Sequence, residues 1–309
     1  MTGGAGFIGS HLVDALVARG DEVLVVDDFS TGKRENLAAA LDLGAKATET
    51  DITEGDAVRE AIESFSPQRV FHLAAQIDVR KSMADPGFDV RLNVLGTVNV
   101  LEAAARAGVE RLVFTSSGGT VYGEGAGREA ELPFAEDAPN RPDSVYGQSK
   151  LAAEGYVGFF ARDRGLSGVT LRLGNVYGPR QDPATEAGVV AIFSELALDG
   201  GKPTVFGTGE QTRDYIHVDD VVAAILAAEA YDGPGPFNVG TGVETSVLDL
   251  VEMVGDLTGR SDFEPEFAPA REGEIDRNVV DPERAASELG WRAELAIGPG
   301  LEQTLNVPD

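Results

Sequence analysis

Short apolar runs alternate along this chain with longer stretches in which apolar residues recur every three or four positions. Glu22–Asp27, Ala45–Thr50, Arg69–Leu73, Arg111–Thr115 and Gly168–Leu173 are rich in Val, Leu and Phe without strict alternation. That is the pattern of strands covered on both faces. Gly9–Arg19, Glu54–Ser64, Pro86–Ala107 and Ser144–Arg164 have helical periodicity and lie between them. Strands alternating with helices predict right-handed βαβ units and an α/β fold with a Rossmann-type, doubly wound parallel sheet over residues 1–174. After residue 174 the pattern loosens into Gly/Pro-rich loops and short helices. Residues 175–309 therefore read as a smaller, interleaved C-terminal substrate-binding domain, with about 215–230 returning to pack on the first. The chain carries no internal repeat and no low-complexity tail.

Composition narrows the class. The chain has 309 residues, 42% of them hydrophobic, enough for a real core. Its longest unbroken apolar stretch, Val221–Ala228, is too short to cross a bilayer, and the N-terminus shows no basic-then-apolar signal pattern. The absence of cysteine removes disulfides and thiolate chemistry, and a cytoplasmic enzyme is the simplest expectation. Acidic residues number 52 against 25 basic, a net charge of −27, which argues against nucleic acid and anionic membrane as partners. Lysine occurs only at Lys33, Lys46, Lys81, Lys150 and Lys202. Acid excess with so little lysine fits a halophilic protein working in concentrated salt, where screening quiets self-repulsion; biased codon usage is the alternative.

Three motifs carry chemistry. Thr2-Gly3-Gly4-Ala5-Gly6-Phe7-Ile8-Gly9-Ser10 places Gly3, Gly6 and Gly9 three apart before a helix. Glycines allow a tight turn and close approach to a pyrophosphate, whose charge the helix N-terminus attracts. Asp27 ends the next strand about twenty residues on, where a carboxylate binds ribose hydroxyls and repels a 2′-phosphate, favouring NAD over NADP. A helix-capping turn with a surface acid would give the same residues. Only Met1 and Thr2 precede Gly3, although a strand normally stands there. A truncated start is expected, with loss of most of the central strand as the alternative.

In Ser144-Val145-Tyr146-Gly147-Gln148-Ser149-Lys150 the spacing of four brings Tyr146 and Lys150 to one helix face. A free phenol titrates near 10, so an adjacent ammonium, with a positive nicotinamide ring, is expected to favour the phenolate. Phe114-Thr115-Ser116-Ser117-Gly118-Gly119-Thr120 ends a strand in hydroxyls at the sheet edge where ligands sit in such folds. His11, His72 and His217 are scattered, without metal-ligand spacing, and read as structural.

These motifs, together with Arg172-Leu173-Gly174-Asn175-Val176-Tyr177-Gly178-Pro179-Arg180 and Arg213-Asp214-Tyr215-Ile216-His217-Val218-Asp219-Asp220, resemble the extended short-chain dehydrogenases. Within them the chain is similar to the NAD-dependent epimerase/dehydratase group and most of all to the UDP-glucose 4-epimerases. The resemblance implies epimerisation at C4 of a UDP-hexose by transient oxidation to a 4-keto sugar. It implies Ser117, Tyr146 and Lys150 as catalytic residues. Ser117 is placed loosely, since a loop one residue shorter would shift its role to Gly118. Cofactor contacts are implied at Gly3, Gly6, Phe7, Ile8, Gly9, Asp27, Asp51, Ile52, Ala74, Ala75, Asn93, Ser116, Tyr146 and Lys150. For the sugar nucleotide they are Ser117, Tyr146, Asn175, Val189, Val190, Arg213 and Arg271. Arginine suits a diphosphate through its planar fork, although surface ion pairs would also explain Arg213 and Arg271. Asn278 leaves open whether an N-acetyl group fits.

The resemblance further implies a homodimer through Pro86–Ala107 and Ser144–Arg164. Related 4,6-dehydratases and decarboxylases carry an acid beside the catalytic hydroxyl, and Gly118, Gly119 and Thr120 supply none. A reductase that releases its cofactor and a non-catalytic NAD-binding scaffold are the other readings. An intact Tyr146/Lys150 pair argues against the scaffold.

Overall fold

The computed structural model describes residues 1–184, 188–271 and 274–305. Two compact units emerge, the first made of Met1–Ser117, Ser144–Arg172 and Val222–Phe237, the second of Gly118–Asp143, Leu173–Val221 and Asn238–Asp309.

In the first unit β1 (Leu24–Asp27) pairs in parallel with β2 (Lys46–Glu49), and β3 (Arg69–His72) in parallel with β4 (Arg111–Ser117). Next to β4 comes β5 (Ser167–Leu173). Thr2 bridges Val26 on one side and His72 on the other, both in parallel. Its N–H donates to Phe71 O at 2.9 Å, and its carbonyl accepts from Leu73 N at 3.1 Å. The short lead into the glycine turn thus occupies the central position between β1 and β3. The order β2–β1–Thr2–β3–β4–β5 is that of a doubly wound dinucleotide sheet.

Helices form where the periodicity places them. Phe7–Arg19 stops at Gly20, whose φ of 95° favours glycine. Val145–Asp163 starts at Ser144, whose Oγ accepts from Gly147 N at 3.1 Å. The predicted run Pro86–Ala107 contains a wider π turn over Arg91–Leu95, a local feature often found at functional sites. Val100, Leu101, Leu112 and Phe114, all at most 1% exposed, pack in one cluster with Ile52 and Val58. Each such side chain stabilises the fold by roughly 1.5–3 kcal/mol.

The second unit is built from small strand pairs. Asn175–Tyr177 runs parallel to Tyr215–His217, Thr204–Phe206 parallel to Glu266–Ala268, and Thr212–Arg213 antiparallel to Thr245–Ser246. Phe193, Leu250, Val254 and Leu301 fill its core. Buried Asp214 ties the loops by accepting from Thr241 N, Thr241 Oγ1 and Gly242 N at 2.8, 2.6 and 3.1 Å. No helix among the described residues is long and apolar enough to cross a membrane.

Candidate active site

The glycine turn is dictated by contact. Gly3 has φ +70°, and a Cβ there would lie 2.5 Å from Ala74 N. A Cβ on Gly9 would lie 2.0 Å from the Gly3 carbonyl oxygen. Gly6 differs: the nearest atom to its Cβ would be Gly3 O, at 3.4 Å, an ordinary contact. The protein itself does not require glycine at 6, so the bare Cα leaves a cradle on the outer side of the turn. Gly6 also begins the Phe7–Arg19 helix, and no side chain caps that end. A turn and an uncapped helix start of this kind fit a pyrophosphate. Phe7 is buried and Ile8 half-buried.

Asp27 lies beside this turn at the end of β1. Its Oδ2 accepts from Ala5 N and its Oδ1 from Phe29 N, both at 2.9 Å. Burial pushes the carboxyl up, and the two N–H donors pull it back in part. Asp51 and Ile52 follow β2. Asp51 Oδ1 accepts from Thr53 N at 2.8 Å, whereas the Ile52 side chain packs in the core and its carbonyl accepts from Asn99 Nδ2 at 2.9 Å. Ala74 and Ala75 form the edge after β3. Asn93 fixes that edge through both ends of its amide, Nδ2 to Gln76 O and Oδ1 from Gln76 N, each 2.9 Å.

At the carboxyl end of β4, successive residues face opposite ways. Ser116 Oγ donates to Glu154 at 2.5 Å, and Ser117 hydrogen-bonds to the Tyr146 phenol. Tyr146 and Lys150 sit one turn apart on Val145–Asp163, 9% and 4% exposed. The Lys150 ammonium donates to Thr115 O at 2.9 Å and stands 5.0 Å from the Phe114 ring centre and 5.9 Å from that of Tyr146. Burial lowers Lys150 to about 8 against the pull of Asp89 and Glu154. Tyr146 departs from expectation. Burial raises its phenol above the ordinary value and the charge of Asp89 adds to this, with only the Ser117 bond opposing. The amine lies over the ring and is committed to Thr115 O, so within the protein alone it does not outweigh desolvation.

Glu154 and Asp89 escaped the sequence reading. Glu154 lies one turn beyond Lys150 and forms a buried pair with Arg172, Nη2 to Oε2 2.7 Å. Asp89 lies one turn before Asn93, on the buried face of its helix. The signal available was the i, i+4 spacing of each from a named site residue. His72 serves structure, between Thr2 Oγ1 at 2.6 Å and Thr97 Oγ1 at 2.9 Å.

In the second unit Asn175 opens the strand after β5, its backbone N–H on Asp214 O at 2.7 Å. Val190 is buried in that unit's core, with Val189 half-buried beside it at the start of Val189–Leu198. Arg213 is half-buried and donates to Thr212 O at 2.8 Å. The Arg271 guanidinium lies 3.7 Å from the Phe206 ring centre, a flat cationic face on an aromatic one, and Phe206 was not foreseen. Among the described residues neither arginine is in a salt bridge; of the two, the stacked Arg271 is the more exposed. Asn278 is fully buried, with Nδ2 3.4 Å from both Gly118 O and Gly123 O. It therefore supports the loop after β4. Among the described residues no group of three His, Cys, Asp or Glu side chains could hold a metal ion.

Comparison with known proteins is consistent along the chain. Residues 1–240 match the model of the NAD dependent epimerase/dehydratase family. The UDP-glucose 4-epimerase of Mycolicibacterium smegmatis is 46% identical over 307 residues, covering 99% of this chain and 96% of the relative. The crystal structure of the Thermotoga maritima UDP-glucose 4-epimerase with UDP-glucose superposes with a TM-score of 0.92 at 42% identity, covering 98% of this chain and 96% of that one. That of the Thermus thermophilus UDP-glucose 4-epimerase in complex with NAD gives 0.88 at 41% identity, covering 99% and 96%.

Proposed function

Because the chain belongs to the NAD-dependent epimerase/dehydratase family, we propose that it interconverts the C4 epimers of a UDP-hexose of the UDP-glucose/UDP-galactose type. The observation that carries this reading is the Ser117–Tyr146–Lys150 arrangement at the carboxyl end of β4. NAD, when bound, supplies a reversible two-electron acceptor for C4, so that a 4-keto sugar stands between the two epimers. Gly3, Gly6 and Gly9 form its pyrophosphate cradle, with Asp27 at the adenosine ribose. Asn93 holds the strand edge beneath it.

The chain's own residues then handle one proton. Tyr146 Oη takes it from the sugar 4-hydroxyl and returns it to the C4 oxygen after the sugar has turned over. Ser117 holds that same oxygen and, by hydrogen-bonding the phenol, favours its ionised form. Lys150 keeps a positive charge beside the ring. The residues after Ser117 are Gly118, Gly119 and Thr120, and the lack of a carboxylate there favours epimerisation over dehydration. Asn175, Val189, Val190, Arg213 and Arg271 are assigned to the sugar nucleotide. Arg271 on Phe206 offers a charge for phosphate beside a flat surface for a base.

The same reading extends to a homodimer. Phe88, Val90, Leu95, Tyr156 and Phe159, between 37% and 48% exposed, lie on the helices that a second copy would cover. Sedimentation should give twice the chain mass. Incubation with a panel of UDP-sugars, followed by NMR, tests the function. The expected product is the C4 epimer of one of them; a 4-keto-6-deoxy sugar or a pentose would refute it.

A further inference from the structure

Asp89 is fully buried and takes no part in the reaction as proposed. Its Oδ2 accepts from Gln76 Nε2 at 2.9 Å and from Asn93 Nδ2 at 3.1 Å, both uncharged amides. Its Oδ1 is buried with no hydrogen-bond partner among the described residues. An ionised carboxylate so placed is strongly unfavourable unless a cation lies close by. The Pro86–Val90 segment packs on Val145–Asp163, and across that contact the Asp89 charge acts on both Lys150 and Tyr146.

The other charged groups around this contact are already spoken for. Glu154, one turn beyond Lys150, is held by Arg172. Asp78 pairs with Arg80, while Arg80, Lys81 and Arg91 are exposed. His72, in the strand beneath, is buried and neutral well into the acid range. Lys150 is therefore the cation that answers Asp89.

We propose that Asp89 is a positioning residue of the proton machinery: the buried counter-charge that keeps Lys150 an ammonium over the Tyr146 ring. Through this it sets the pH window in which Tyr146 works. The proposal rests on Tyr146 as the proton handler. Two of its three tests do not depend on turnover, so its failure and that of the proposed reaction are distinguishable.

A negative charge raises both neighbours, since it favours the ammonium and opposes the phenolate. Asp89→Asn keeps the shape and the acceptor for Gln76 and Asn93 but removes the charge. Both limbs of the pH profile of kcat/KM should then move to lower pH by about one unit, lowering activity roughly tenfold on the alkaline side and raising it by about as much on the acid side. An absorbance titration of tyrosinate, referenced to Tyr146→Phe counterparts, should show the Tyr146 phenol ionising about one unit lower in Asp89→Asn. Thermal melting gives a sign reversal. Asp89→Asn should lower Tm in the natural background and raise it in Lys150→Met, where the acid has lost its cation. Should Asp89→Asn alone not fold, Asp89→Asn/Lys150→Met is still expected to fold. A profile that loses height without moving, an unmoved phenol, a Tm lowered in both backgrounds, or a double variant that fails to fold would overturn the proposal.

Discussion

Replacing Glu154 by Gln should destabilise the protein far more than an ion-pair loss usually does. Glu154 and Arg172 have side chains 9% and 4% exposed, and Arg172 Nε lies 3.1 and 3.2 Å from the two carboxylate oxygens, with Nη2 at 2.7 Å. Gln keeps the volume and one acceptor but turns an amide N–H₂ toward the Arg172 guanidinium and removes the charge paired with it. Breaking a buried pair from one side costs about 3–5 kcal/mol, because the remaining charge stays out of water. At roughly 2–4 °C per kcal/mol for a domain of this size, Tm should fall by about 6–20 °C. The exposed pair Arg34–Glu49, 58% and 67% exposed, is the internal control. Glu49→Gln there should cost under about 1 kcal/mol. Calorimetry of both variants, with Arg172→Met and Glu154→Gln/Arg172→Met to remove the other charge and then both, completes the cycle. The double variant should recover most of the loss. A Glu154→Gln loss no larger than that of Glu49→Gln would refute the reasoning, as would a double variant worse than either single one.

His72 gives a pH dependence with a definite sign. Burial lowers it to about 3 from 6.5, so below about 6.5 the unfolded chain binds a proton that the folded one refuses. Stability from this group is complete above 6.5 and is lost as pH falls toward 3, at about 1.36 kcal/mol per unit. Urea midpoints between pH 7 and 4.5 should show that slope, and His72→Gln should flatten it. The net charge of −27 makes self-repulsion salt-sensitive. Tm and activity should rise steeply with KCl into the molar range; a flat response would leave the acidity as compositional bias.

The fold was legible where apolar runs had length to speak. The five strands and four helices lie within one or two residues of their sequence-derived bounds, apart from the π turn at Arg91–Leu95, which no periodicity announces. The glycine turn was legible because only glycine meets its geometry. Ser116 and Ser117 could not be separated from spacing alone; the alternation of β4 sends one to Glu154 and the other to Tyr146. Asp89 and Glu154 were hidden for a plainer reason. They are two among 52 acids, and only the packing of helices distinguishes a buried carboxylate from a solvated one. The sequence expectation for Tyr146 took the nearby charge into account and not the desolvation. The chain's buried site reverses their order.

The proposed role of Tyr146 is tested most directly by following UDP-glucose in the NMR tube with the natural protein and with Tyr146→Phe. The natural protein should bring UDP-glucose and UDP-galactose to equilibrium. Tyr146→Phe should retain NAD through purification yet turn over about 10²–10⁴-fold more slowly, as expected for loss of a general acid–base group. Undiminished epimerisation by Tyr146→Phe, or no C4 epimer from the natural protein, would contradict it.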